Sequence, residues 1–269
     1  MTDNTYLAVR DKTITKANDL IQKSRFSLSL QQQKIVLYLI SQISSFDEDF
    51  KLYEFSIPEF CRVCGIDFDN GKNYKNLKDA VKEISDKSVW VRLENGRETL
   101  LRWIEKPYID DGSGTIQIRL DKDMKPFLLR LKENFTSYEL IWTLHFKSKY
   151  TIRLYELAKS IHFHEMEEYK RRYTPDELKV LLGGESYKEY RDFKRRALVP
   201  SIHEINAYSD KNIVMTEITK GRKVVEVELT VSSKSSLEAA MVRSKVEKDL
   251  GLPDGQMTLW DTLKEKQFV

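Results

Sequence analysis

From Tyr187 onward the sequence sets Lys188, Arg191 and Arg195 at helical spacing, with Lys194 and Arg196 beside them. Successive helical residues turn by about 100°, so the first three share one face while Tyr190, Phe193 and Ala197 share another. Such a helix can rest its apolar side on a core and present its cations outward. In a DNA major groove arginine pairs bidentately with guanine, and lysine reaches guanine or phosphate. Further on, Lys220, Arg222 and Lys223 surround Gly221 at a tight turn, from which cations can meet backbone phosphates or enter the minor groove. Lys75, Lys78 and Lys82 form a third cationic face, diluted by Asp79 and Glu83.

Other residues suggest chemistry and then withdraw it. Cys61 and Cys64 make a lone C-x-x-C with no second pair for tetrahedral zinc, and they share a helix face with Ile57 and Phe60, so core packing is expected. His162-Phe163-His164 resembles the metal motif of rolling-circle nickases, for which Tyr169, Tyr173 or Tyr190 would serve as nucleophile. That motif works on a strand, however, and here it closes a helical pattern that splays the imidazoles apart. Trp90, Trp103 and Trp142 lie in alternating or apolar segments and are expected to pack in cores or hairpins. The expectation is a protein that is not an enzyme and needs no cofactor or metal.

The elements that position the cations recur twice. Ser29 with Gln32 caps a helix carrying Val36, Leu39, Ile40 and Ile43. Ser56 to Glu59 caps a short second helix ended by Gly65, and Asn73 to Ser85 forms a third. Ser88 to Ile104 alternates and turns at Asn95-Gly96, a pair suited to a type I′ hairpin. The second half repeats this order: a helix from Ser148 to Ile161, a capping box at Thr174 to Glu177 with Gly183-Gly184 after it, the basic helix opened by Ser186 and Glu189, and a hairpin from Ile213 to Val231. Helix, short helix, helix, hairpin is the winged-helix order. The fold class is therefore α+β, tandem winged-helix domains with β-hairpin wings plus a C-terminal helix and tail. Domains are expected at 1–134, 135–232 and 233–269, the last with a helix from Leu237 to Leu250 followed by chain breaks at Gly251, Pro253 and Gly255.

The chain has 269 residues and a formal net charge of +3, so DNA binding must rest on where its cations cluster rather than on their sum. No apolar run approaches the ~20 residues of a membrane span, and Met1 to Arg10 lacks a signal-peptide layout, so a cytoplasmic location is expected.

Several short fragments, in order, resemble the iteron-binding, theta-type plasmid replication initiators of the RepA and RepE kind. They are Asn18-Asp19-Leu20, Gln33-Lys34-Ile35, Phe135-Thr136, Arg153 to Leu157, Phe193-Lys194-Arg195, Pro200, Glu204-Ile205-Asn206 and the Lys220-Gly221-Arg222 hairpin. The resemblance implies binding of double-stranded origin repeats as a monomer, with main recognition by the second domain. It also implies self-repression as a homodimer through the first domain, and recruitment of the host initiator and helicase. A transcriptional repressor without a replication role would use the same fold. In the tail, Gln256, Met257, Leu259 and Trp260 resemble the peptide with which bacterial replication proteins bind the sliding clamp.

Overall fold

A computed structural model describes residues 5–66, 71–93, 95–110, 112–162 and 167–251, and its contacts part the chain into Met1–Leu144 and His145–Val269. The first unit begins with α1 (Thr5–Arg10), β1 (Thr13–Ala17), α2 (Asn18–Gln22) and β2 (Ser24–Arg25). The Ser29 hydroxyl then accepts from the Gln32 backbone N–H, and the Gln32 side chain accepts from the Ser29 N–H, starting α3 (Leu30–Ser41). Burial runs right around α3 from Gln32 to Ser41, so this helix is the centre of the unit and not merely a one-sided support. After β3 (Tyr53–Ser56), the Ser56 hydroxyl and Pro58 start α4 (Ile57–Val63), followed by α5 (Gly71–Asp86) and the hairpin β4 (Ser88–Arg92) and β5 (Glu98–Arg102). Cys61 and Cys64 are buried with Ile57 and Phe60, and burial pushes the Cys64 thiol up to about 12, so it packs as an inert apolar group.

Two expectations are corrected here. Gly96 has a φ of 79°, and the Leu93 N–H bonds to the Arg97 carbonyl at 2.8 Å, so three residues and not two lie between the last bonded pair and the hairpin closes through a longer loop than a type I′ turn. After β6 (Tyr108–Asp110), β7 (Thr115–Ile118) and α6 (Lys125–Leu128), β8 (Phe135–Glu139) pairs antiparallel with β1 along its whole length, and α7 (Ile141–Leu144) follows. The boundary expected at Phe135 thus lies at Leu144, because residues 135–139 hydrogen-bond to a strand near the other end of the unit. The remaining strands form two three-stranded antiparallel sheets, β2-β4-β5 and β3-β7-β6.

In the second unit Ser148 starts α8 (Lys149–Ile161), β9 (Glu168–Tyr173) follows, and both arms of the Thr174–Glu177 capping box start α9 (Pro175–Leu182). Gly183 ends α9 in the left-handed region, and Gly184 lies so close to the next helix that a Cβ there would meet a Phe193 ring carbon at 2.6 Å. Then α10 (Tyr190–Phe193), a π turn over Lys194–Leu198 and α11 (Val199–Tyr208) form one continuous helix over residues 190–208. Pro200 explains the π turn. It has no N–H to give the Arg196 carbonyl and its ring would strike it, so the helix widens and the Val199 N–H bonds to Lys194 instead. The helix starts at Tyr190 and not at Ser186, for Glu189 sits at its N-cap without a side-chain hydrogen bond. Strands β10 (Lys211–Lys220) and β11 (Lys223–Ser233) complete a sheet in the order β10-β11-β9, and α12 (Ser236–Asp249) is capped by Ser235 and Glu238. This last helix belongs to the second unit. Val246 and Leu250 are buried, His145 stacks on Tyr208 at 3.9 Å and reaches Asp249 at 3.2 Å, and the Lys245 ammonium lies 4.1 Å over the Tyr208 ring.

A buried arginine closes the short second helix in each unit. Arg10 donates from Nε to the Val63 carbonyl at 3.0 Å and from Nη2 to Arg62 at 2.9 Å, at the end of α4. Arg153 donates from Nε and Nη2 to the Leu181 carbonyl at 3.1 and 2.8 Å, at the end of α9, with buried Glu156 4.0 Å away. Arg153→Met keeps volume but strips Leu181 of its donors and Glu156 of its nearby cation. It should destabilise the protein by about 3 kcal/mol, read as a lower urea midpoint at unchanged slope.

Candidate nucleic-acid interface

The basic helix rests on the second unit through Phe193, Ala197 and Leu198, all buried, while Arg191, Arg195 and Arg196 are exposed. Lys188 is exposed too, but in the turn ahead of the helix, so its place beside Arg191 is not set by helical spacing. Arg195 pairs with Asp192 at 3.2 Å on the open surface, a contact too weak to compete with phosphate. Arg191 and Arg196 have no ion-pair partner among the described residues. Lys194 behaves differently: it is half-buried and its ammonium lies 2.7 Å from Glu217 on β10. The other Glu217 oxygen accepts the Tyr190 hydroxyl at 2.8 Å. Burial pushes the Glu217 carboxyl up, but the Lys194 ammonium and Tyr190 hydroxyl overcome it and hold it below its ordinary value, so it stays ionised. One carboxylate thereby ties the basic helix to the wing. At the wing tip Lys220, Arg222 and Lys223 are exposed around Gly221, whose φ is 63°.

Glu217 was not foreseen, nor was the cation row Lys170, Arg171 and Arg172 on β9. All three cations are exposed, though Arg172 is held by Glu228 at 2.8 Å and Arg171 lies 5.4 Å over the Tyr173 ring. Their signal was three consecutive basic residues between Tyr169 and Tyr173. In the first unit Lys75 and Lys82 are exposed on α5 and Lys78 is half-buried. Arg92, Arg97 and Arg102 make the β4-β5 hairpin basic as well, with Arg25 beside them on β2, which the sequence reading passed over.

His162 ends α8 with Nδ1 3.2 Å from the Lys211 ammonium, whose pKa burial and Lys159 pull down to about 8; His164 lies outside the described residues. Burial pushes the Tyr173 hydroxyl up to about 12, and burial and Glu217 raise that of Tyr190, the reverse of what an attacking phenolate needs. Trp103 and Trp142 are buried as expected, but Trp90 is 45% exposed, because alternation on β4 turns it outward between Val89 and Val91. Gln256, Met257, Leu259 and Trp260 lie outside the described residues.

Residues 13–159 match the family profile of the initiator replication protein, WH1, and residues 174–231 that of the initiator Rep protein, WH2. The chain belongs to this replication-initiator family. Both of its domains are winged helices; the WH2 profile lies within the second unit, whereas the WH1 profile covers the first unit from β1 onward and runs on into α8. A replication initiation protein of Escherichia coli is 25% identical over 210 residues, covering 75% of this chain and 64% of that relative's length. The Pi initiator protein, solved in complex with iteron DNA, shares 18% identity and superposes with a TM-score of 0.69, over 84% of this chain and 99% of that one. This likeness is one of fold.

The geometry separates three kinds of side chain in this chain. Arg191→Ala or Arg196→Ala should cost ~1–3 kcal/mol of discrimination between a target and altered sequences, whereas Arg222→Ala should weaken all duplexes alike and flatten the salt dependence by about one unit. Glu217→Ala frees Lys194 and uncouples the helix from the wing. Its ratio of specific to random-duplex affinity should fall about tenfold, or ~1.4 kcal/mol, with random binding undiminished; anisotropy titrations measure all of these.

Proposed function

We propose that this chain binds repeated sequences in double-stranded origin DNA and thereby initiates plasmid replication, acting by binding and not as an enzyme. The observation that carries the reading is the pairing of exposed Arg191, Arg195 and Arg196 on the second unit's third helix with a basic wing tip. That wing is joined to the helix through Glu217, which takes both Tyr190 and Lys194. A helix of this kind inserts in the major groove while the wing follows the adjacent backbone. The second unit is the main reader. The first adds contacts through Lys75, Lys78 and Lys82, and off DNA it carries the homodimer that represses the chain's own gene. Monomers on the repeats recruit the host initiator and helicase in the cytoplasm. Family membership supports this reading, as does the likeness to a protein solved on iteron DNA.

In footprinting, the full chain should protect a whole repeat through successive major grooves on one face of the duplex. The unit His145–Val269 alone should protect only part of it and bind more weakly; undiminished affinity and a full footprint from that unit would remove the first unit from recognition.

We also propose that the tail binds the sliding clamp, with Gln256 bonding a pocket rim and Met257, Leu259 and Trp260 supplying apolar anchors. A peptide from Pro253 to Leu263 should bind purified clamp, and Leu259→Ala with Trp260→Ala should abolish that while leaving repeat binding intact. No binding at high micromolar peptide ends the idea.

A further inference from the structure

The outer face of sheet β2-β4-β5 gathers side chains that the fold does not use for packing. Alternation sends Val89, Val91 and Leu101 into the core and Trp90, Arg92, Leu100 and Arg102 outward. The register sets Trp90 opposite Leu100 on one side and opposite Arg25 on the other, while Ser88 faces Arg102 and Arg92 faces Glu98 in the adjoining rows. Trp90 is 45% and Leu100 51% exposed. Cross-strand side chains lie about 4.5–5.5 Å apart at Cβ, so the indole and the Leu100 side chain form one apolar step. Arg25 borders it within the row, and Arg92 and Arg102 border it one row away on either side. Glu98 is the acidic residue of these strands among the described residues, and it is occupied by Arg25 at 2.8 Å and Arg92 at 3.5 Å. The face is therefore an aromatic step ringed by a net excess of guanidinium groups.

Apolar surface of this kind, so bordered, is covered by something that brings both a flat π face and negative charge. An unpaired base with its flanking phosphates has both. Within a duplex the base faces are already stacked on each other, so an indole exposed on a sheet face can stack on them only in a single strand. Leu100 then supports the edge of the base, and Arg25, Arg92 and Arg102 lie where the flanking phosphates run.

We propose that this face of the first unit is a platform for single-stranded DNA, with Trp90 as the stacking residue and Arg25, Arg92 and Arg102 as phosphate contacts. The site uses none of the side chains assigned to duplex recognition. It goes beyond the duplex reading and stands apart from it.

The test titrates the full-length protein with a labelled oligothymidylate of about 15 nucleotides and, separately, with duplex DNA. The oligomer should bind and quench tryptophan fluorescence. Trp90→Ala should weaken it about tenfold, Trp90→Phe should retain most of the affinity because a ring still stacks, and duplex affinity should not change in either. Because Trp90 faces outward, its removal should leave the urea midpoint in place. Arg102→Ala supplies an independent variant that should lower the salt dependence of oligomer binding by about 0.7 of a unit. The proposal is overturned if the wild-type protein does not bind the oligomer at low salt, or if Trp90→Ala binds it undiminished. Equal loss on oligomer and duplex in Trp90→Ala overturns it too. Binding of an acidic peptide of alternating Asp and Leu that is lost in Trp90→Ala, without oligomer binding, assigns the face to a protein partner instead. Since Arg191→Ala acts on the duplex arm alone, failure of the duplex reading and failure of the platform are distinguishable.

Discussion

A short helix that must hold the next helix at a fixed angle leaves its last carbonyls without intrahelical partners, and in both units those carbonyls receive hydrogen bonds from a buried arginine. The guanidinium has two roles: its fork satisfies backbone groups that water cannot reach, and its charge complements the negative end of the helix dipole. Arg10 and Arg153 reach this position from different elements, α1 in the first unit and α8 in the second. The first unit therefore depends on a helix that precedes its winged-helix elements. In the second unit, Gly183 and Gly184 complete the turn after Arg153 has closed α9, and the close approach of Gly184 to Phe193 sets the basic helix down on the core. The exposure of Arg191, Arg195 and Arg196 follows from that seating.

A net charge of +3 on 269 residues gives little long-range attraction for a polyanion, so binding must come from local arrangement. The structure arranges it with an acid. Glu217 removes Lys194 from the exposed set and in exchange couples helix to wing, so that a cation becomes a positioning group. The π turn contributes in the same region: by adding a residue to one helical turn it brings Phe193 and Leu198, five residues apart, onto the same side, so that both stay buried.

Helix starts, helix ends and both hairpins were legible because their signals are local. A hydroxyl three residues before a Glu or Gln, a glycine at a left-handed position and a two- or 3.6-residue apolar period act over a few residues, and the caps at Ser29, Ser56 and Thr174 formed where those signals lie, whereas the same signal at Ser186 did not cap the basic helix. The order of these elements was enough to specify two winged helices, and the exposed arginines of the basic helix followed from its period. Other features were decided only by contacts between distant residues. Strand β8 joined the first unit because its partner β1 lies more than a hundred residues earlier, and α12 joined the second because Tyr208 and His145 receive it. Lys194 turned to the wing because Glu217 waits there, and Trp90 faced outward because its neighbours Val89 and Val91 took the core side of β4. Periodicity states which residues share a face, but what that face meets is set by the partner the fold brings to it, and that partner is not encoded nearby in the chain.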